Sequence, residues 1–507
     1  MAYGTSWTVR VLRVTHPACG VIMKIAVDRQ ATEPVYLQIR DRISYLIQAG
    51  GLKVGDRLPS IRSMAQTTNV NKLTVIEAYS VLEADGLIYA RQGAGYFISQ
   101  ATVTPPARPA SFAPEQTVII PEQGLTSFSE VSDAFLQAQA QPGMINLNSG
   151  YPQAVGVEDL QRISRRAIKN VAGQLFHHNP PEGDPILREQ IAQLLSKLGL
   201  GAAPQDLIIT NGSMQALCLV TQHLIQPGDW VVVESPSFHA YLSLLQQIDA
   251  RIIGMPMTAT GMNLDLLEQF LKSHRPKLIY TNSTLHNPTG ITTSLAHRRR
   301  LVELAEQYDC WVIEDNAYEW LSFDTTPPPI KALDRRDRVI YTGTFSKSLM
   351  PALRLGYAVI TGDLYREIVE RKLLHDLHVS IVSQGIVREY LATGHYRRRI
   401  NHLKALNQQN RGVMVRALEE HFPAEASWTI PAGGVFLWVQ LPKQINVAKL
   451  HRAAVKENVF VGSGQPFFPD QQGYPALRLG FAQPMEDIER GIAVVGRLLK
   501  AHMARHR

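Results

Sequence analysis

From about residue 140 onward, seven short apolar runs of strand length alternate with helical segments, and that alternation restricts the chain to few folds. The runs are Leu207–Thr210, Trp230–Glu234, Arg251–Met257, Lys277–Asn282, Trp311–Asp315, Val339–Thr344 and Leu353–Ile360. Strands that are apolar along their whole length are covered on both faces, and intervening helices supply the cover. The expectation is an α/β domain built on a mostly parallel seven-stranded sheet. After residue 394 the pattern shifts to a long basic helix, strands at 434–441 and 476–482, and a terminal helix. That reads as a smaller C-terminal α+β subdomain.

The first hundred residues read differently. Residues 34–48 have a helical period, with Leu37, Ile39, Ile43, Leu46 and Ile47 on one side, and Gly50-Gly51 ends the run. Pro59-Ser60 opens a second helix to about Thr67, with Ser60 as its N-cap. After the turn Thr68-Asn69-Val70, Asn71 caps a third helix that reaches Asp85, and Gly86 stops it. Two β-like runs, Leu87–Ala90 and Tyr96–Ser99, are joined by Gln92-Gly93-Ala94-Gly95. Three helices and a small hairpin are the plan of a winged helix-turn-helix. Between the two patterns, residues 101–125 carry Pro105, Pro106, Pro109, Pro114 and Pro121, an extended and semi-rigid linker. The domains expected are therefore an extension at 1–22, a DNA-binding module at 23–100, a linker at 101–139 and a large domain at 140–507. Met23 opens a more typical N-terminus than Met1.

Composition narrows the function classes. The 507 residues are 45% hydrophobic and 19% charged, which suits a soluble chain of two or three domains rather than a disordered one. No apolar run approaches the roughly 18 residues of a membrane span. Nor do residues 1–22 hold the apolar stretch of a signal peptide. Three widely spaced cysteines fit neither a disulfide framework nor a metal site and point to a reducing cytoplasm. The net charge of +7 permits nucleic-acid contact without demanding it. Residues 24–100 hold nine Lys/Arg against seven Asp/Glu, so charge alone does not identify a DNA reader.

The chemistry is concentrated around Lys347. It sits in Thr344-Phe345-Ser346-Lys347-Ser348, and Arg354 follows in Leu353-Arg354-Leu355-Gly356. A lysine amine beside small hydroxyls and an arginine can form a Schiff base with an aldehyde while its neighbours take a phosphate. Upstream, Gly212-Ser213-Met214 follows a strand and opens a helix, where free N–H groups and a hydroxyl make an anion site. Phe238 is placed to stack on a ring, and Asn287 in Asn287-Pro288-Thr289-Gly290 to donate to a phenolic oxygen. Tyr318 could bond to that same oxygen. Asp315 ends its strand, where a carboxylate can keep a pyridine nitrogen protonated, and Glu314 points to the other face.

Two resemblances follow. Gly55-Asp56-Arg57-Leu58-Pro59-Ser60-Ile61-Arg62, then Thr74-Val75-Ile76-Glu77-Ala78-Tyr79 and Leu82-Glu83-Ala84-Asp85-Gly86-Leu87, closely resemble the winged helix of the GntR family. This implies operator DNA as a partner. Contacts fall to Arg57, Ser60 and Arg62, to Asn71, Lys72, Leu73 and Thr74 at the start of the recognition helix, and to Arg91 and Gly93 in the wing. Residues 140–505 resemble fold-type I aminotransferases, and the fusion looks like the MocR subgroup of bacterial transcription regulators. The resemblance implies pyridoxal 5'-phosphate held at Lys347 as an internal aldimine. Thr344, Ser346, Ser213 and Arg354 would hold its phosphate, with Met214 beside them. Tyr151 and Arg478 would meet a substrate, Arg478 gripping an α-carboxylate, with Gly433-Gly434 and Phe436 in the turn beside it. It also implies a homodimer in which the DNA module of one chain lies against the large domain of the other.

One departure concerns Phe176-His177-His178-Asn179-Pro180-Pro181-Glu182-Gly183, which puts His178 where the family has a tyrosine that reaches the neighbouring subunit's phosphate. The basic run His395-Tyr396-Arg397-Arg398-Arg399 reads as a solvated helix face rather than a second DNA surface. The function expected is a regulator sensing an amino acid, an amine or a vitamin B6 species. A working aminotransferase is the alternative, because its site residues are all present. A repressor that has lost its cofactor is disfavoured by the intact Lys347.

Overall fold

In the computed structural model, the described residues are 27, 34–48, 52, 55–84, 87–91, 95–99, 116, 118–121, 141–153, 157–470 and 473–504. The chain divides into two compact units, Met1–Pro109 and Ala110–Arg507.

The first unit has three helices, α1 (Val35–Gln48), α2 (Ile61–Thr68) and α3 (Lys72–Ala84), followed by the hairpin β1 (Ile88–Arg91) and β2 (Gly95–Ile98). The boundaries match the expected ones within a residue or two, because local signals set them. The Ser60 hydroxyl caps α2 by accepting from the Ser63 N–H at 3.1 Å. Asn69 takes the left-handed conformation (φ 52°) that closes α2, and Asn71 Oδ1 accepts from the Leu73 N–H at the start of α3. Ile39, Ile43, Met64, Val75, Leu82, Ile88 and Ile98 form the core. Tyr79 crosses it, its hydroxyl donating to Pro59 O and its ring meeting Tyr96 edge-on.

The second unit holds an eight-stranded sheet, in the order 207–210, 356–359, 339–344, 311–315, 278–281, 230–235, 251–258 and 261–262. Its strands are β4 (Leu207–Thr210), β5 (Trp230–Ser235), β6 (Arg251–Thr258), β7 (Gly261–Met262), β8 (Leu278–Thr281), β9 (Trp311–Asp315), β10 (Val339–Thr344) and β11 (Gly356–Val359). Strands β10, β9, β8, β5 and β6 run parallel, and β11 is antiparallel to both β10 and β4. Seven strands are the expected ones. The eighth, β7, is a two-residue hairpin return on β6. The last expected strand is shorter than its apolar run, since Pro351–Leu353 forms a 3-10 turn and Arg354 turns left-handed (φ 47°). Separate apolar clusters cover the two faces of the sheet. Part of the segment read as linker belongs to this unit. Ile119 and Gly254 exchange backbone hydrogen bonds at 2.9 and 2.7 Å, and Val118 packs on the core.

The smaller subdomain has strands β12 (Ser427–Trp428), β13 (Phe436–Gln440), β15 (Gly462–Ser463) and β16 (Ala476–Gly480) in the order β12-β13-β16-β15. A further strand, β14 (Val459–Phe460), pairs with β3 (Ile145–Asn146). The 27-residue helix His395–His421 and the helix Met485–Ala504 bury this subdomain's core.

Candidate functional site

The carboxyl ends of β9 and β10 and the loops after β4 and β8 bring the expected residues together. Lys347, three residues beyond β10, is half-buried, with its amine 3.5 Å from the centre of the Tyr151 ring and 5.5 Å from that of Tyr318. Burial, reinforced by Arg478 and Arg354, pulls its pKa from 10.5 to about 7, against an opposing pull from Asp315. At neutral pH a large fraction of the amine is therefore unprotonated. Asp315 is buried at the end of β9 and is pushed up to about 6 by desolvation. The Tyr280 hydroxyl donates to its Oδ2 at 2.8 Å and Thr342 to its Oδ1 at 3.3 Å. Glu314 faces the other way, accepting from Ser283 and from the backbone N–H groups of Ile330 and Lys331.

An anion cradle lies beside the lysine. The helix Ser213–Leu224 starts after Gly212 (φ 75°), so the first N–H groups of that helix are available there. The Arg354 guanidinium donates to Ser346 Oγ at 3.3 Å. Gly212 takes a positive φ that favours glycine, and a Cβ on Gly356 would lie 2.5 Å from the Gly212 carbonyl carbon, so glycine at both positions lets these segments approach. The Thr344 hydroxyl donates to Leu355 O and accepts from the Ser346 N–H, fixing the loop. Met214 and Phe238 are partly buried in the adjoining core, and Phe238 meets the His239 ring edge-on.

Arg478 on β16 is buried from the opposite side. Its Nη1 donates to Asn287 Oδ1 and its Nη2 to Asn148 O, both at 3.0 Å. Its carbon Cζ lies about 5 Å from the rings of Phe436 (5.1 Å) and Phe467 (5.0 Å). Nε is buried without a hydrogen-bond partner among the described residues, a donor suited to an incoming carboxylate. The Tyr318 hydroxyl donates to Gly150 O at 3.1 Å. Gly433 bridges to Ser322 in the turn that leads to Phe436.

Several members of the site carry no sequence signal. Tyr280 meets Asp315 across the β8–β9 pairing, and Asn282 donates to the Asp315 carbonyl. His239 is pushed down to about 3 by burial and by Arg478 and Lys347, so it stays neutral. Asp376 accepts from Asn211 and Gln215 at 2.8 Å and from the fully buried Lys372 at 2.7 Å, pinning the loop that carries Gly212 and Ser213. Such pairings exist only once the strands and helices are assembled. His178 is exposed and lies 6.0 Å from His378, ring to ring.

In the first unit, Arg62, Asn71, Lys72, Leu73 and Arg91 are exposed, and Thr74 is half-buried. Leu73, at the start of α3, is 69% exposed. Ser60 is occupied by its cap. The guanidinium of Arg57 lies against Gly95, and its backbone bridges to Phe97. Gly93 lies outside the described residues.

The lysine, carboxylate, anion cradle and second arginine match the needs of pyridoxal phosphate, and the orphaned Nε and the glycine cradle are the features that fit it best. Residues 142–495 match the family described as aminotransferase class I and II, and residues 35–98 the bacterial regulatory proteins of the gntR family. The chain is similar to the uncharacterized HTH-type transcriptional regulator YdfD of Bacillus subtilis, with 29% identity over 92% of this chain and 96% of the relative. It is also similar to the probable rhizopine catabolism regulatory protein MocR of Rhizobium meliloti, with 28% identity over 89% and 91%. Among solved structures it resembles the α-aminoadipate aminotransferase LysN of Thermus thermophilus, complexed with N-(5'-phosphopyridoxyl)-L-leucine. That likeness has a TM-score of 0.68 and 31% identity, and covers 75% of this chain and 100% of the other. A fold-type I aminotransferase unit therefore follows a gntR-type helix-turn-helix in one polypeptide, and the chain belongs to the aminotransferase class I and II family in the architecture of the MocR-type regulators.

Proposed function

We propose that the chain is a cytoplasmic, homodimeric transcription regulator that binds operator DNA through its winged helix and pyridoxal phosphate through Lys347. The observation that supports this most is the company of Lys347: an amine whose pKa is pulled down to about 7, among Asp315, Arg354 and Arg478, in a chain that also carries a gntR-type helix-turn-helix. Bound there, the cofactor supplies an electrophilic carbon and a ring that can accept electrons from an amino acid.

The side chains have separable tasks. Desolvation presents Lys347 Nζ as a neutral nucleophile. Arg354, Ser346, Ser213 and the N–H groups at the start of its helix hold the phosphate dianion. Asp315, steadied by Tyr280 and Thr342, holds a proton at the pyridine nitrogen. Asn287 Oδ1 is occupied by Arg478, so its amide Nδ2 is the donor left for the phenolic oxygen. Arg478 takes the carboxylate of an amino-acid effector, and Tyr151 covers the amine. Effectors expected at this site are amino acids, amines and B6 species. Effector binding biases the large unit between two states only through differential affinity.

Aminotransferase turnover is the second reading, favoured by the complete set Lys347, Asp315, Asn287, Arg354 and Arg478. Purified protein with added pyridoxal phosphate should show a visible absorption band that Lys347→Ala removes. No band in the wild type would refute both readings. Operator affinity that shifts with an amino acid in the absence of turnover marks the regulator. Keto-acid formation without any DNA binding marks the enzyme.

A further inference from the structure

A second feature of the large unit is a basic surface assembled from two segments far apart in sequence. On the helix Val157–Val171, Ile163, Ala167 and Val171 are buried, while Arg162, Arg165, Arg166 and Lys169 share the exposed side. These four line one concave patch with Gln161. Arg162 and Arg166 remain 69% and 66% exposed although Asp159 and Glu389 pair with them. Arg165 and Lys169 have no ion-pair partner among the described residues. Arg162 Nη2 lies 2.8 Å from Nε2 of His395, the first residue of the helix His395–His421, and Arg397 and Arg398 next to it are exposed. Arg399 turns inward and donates to Leu349 O.

Arg162 and Arg166 have structural partners in Asp159 and Glu389, but the row of four cations exceeds what the fold uses. Like charges at i,i+3 and i,i+4, as in 162/165, 162/166, 165/169 and 166/169, destabilise a helix. Cations in the first turn of the second helix oppose its dipole. An anionic partner reverses both costs. The row from Arg162 to Lys169 is roughly 10 Å long, and a duplex presents about six phosphate charges over that length. A membrane surface would call for a row of large apolar side chains on the same helix. Among its described residues only Ile168 is at once large, apolar and exposed.

We propose that this surface seats the sugar–phosphate backbone of duplex DNA, adding a sequence-independent contact to that of the winged helix. The proposal rests on the reading of the first unit as a DNA binder. Because the same polypeptide carries a gntR-type helix-turn-helix, duplex DNA is the occupant that the charge fits.

The test uses the full-length protein loaded with pyridoxal phosphate and a long mixed-sequence duplex. Binding is measured by fluorescence anisotropy over a series of salt concentrations. The variant Arg165→Gln/Lys169→Gln/Arg397→Gln/Arg398→Gln should keep the visible absorption band and the melting temperature. Its log affinity should fall less steeply with log salt, by roughly 0.9 for each phosphate that is no longer neutralised. A slope that changes by less than the value for one phosphate overturns the proposal, as does loss of binding to anionic vesicles or acidic proteins with DNA binding intact. Arg62→Ala/Lys72→Ala is run in parallel. If that variant weakens DNA binding and the four-glutamine variant does not, only the second surface is wrong. If the wild type fails to bind the duplex at all, the DNA-binding reading fails with it.

Discussion

Lys347 shows how a residue's chemistry follows from burial rather than from its type. Desolvation and two arginines disfavour its ammonium and pull the pKa down to about 7. The folded value lies below the ordinary one, so the reactive neutral form is gained as pH rises through 7 and lost as pH falls through it. Uptake of pyridoxal phosphate by cofactor-free protein should therefore accelerate about tenfold per unit of pH below 7 and level off above it. Stopped-flow absorbance of the visible band checks this, and a flat profile would show that the amine is not desolvated. Arg478→Lys tests the other side of the site. A point charge cannot make the paired contacts of a guanidinium. Amino-acid affinity, read by spectral titration, should drop by at least about tenfold, as expected for loss of one charged hydrogen bond, while cofactor binding stays.

At the scale of elements, the anion cradle depends on a tie between two helices. Asp376, the last residue of the helix Leu364–Asp376, holds the Asn211–Gln215 loop and neutralises Lys372, which is fully buried. Removing one partner of a buried pair leaves an unpaired charge, whereas replacing both is far less costly. Asp376→Ala should cost about 3–5 kcal/mol in urea unfolding of the large unit, and Lys372→Met/Asp376→Ala should recover most of it. In the first unit, Ser60→Ala removes the cap of α2 and should cost about 1 kcal/mol. The helices α1 to α3 are legible in the sequence because caps and turn residues act locally. The start of β11 is not, since the 3-10 turn Pro351–Leu353 and the left-handed Arg354 interrupt the apolar run with no local sequence signal.

For the whole molecule, coupling between effector and operator must be reciprocal if it exists. Whatever factor an amino acid applies to operator affinity, operator DNA must apply to amino-acid affinity. Spectral titration with and without the operator fragment should return the same factor as anisotropy with and without the amino acid. Unequal factors would mean that turnover, not binding, is being read. Much of the candidate site could be named from motifs, because loops after successive strands of a parallel sheet converge at one edge. Its support could not. Tyr280, Asn282 and His239 have ordinary sequence surroundings, and nothing in the motif shows that Thr344 ties its loop together through Leu355 and Ser346.

The sequence by itself determined the order of elements, the division into a winged helix and an α/β unit, and the lysine, acid and arginines of the site. These depend on periodicity, on caps and on short motifs, all of which act over a few residues. Tertiary structure decided what those residues become. It brought Lys347 under the influence of Arg478, though they are far apart in the chain. It bound Asp315 to Tyr280 across two strands, and it joined part of the linker to β6. It also set His395 against Arg162, which turns two separately solvated basic runs into one surface. The physical reason is common to all four: desolvation and charge proximity depend on distance in space, and only the packed sheet and helices set that distance.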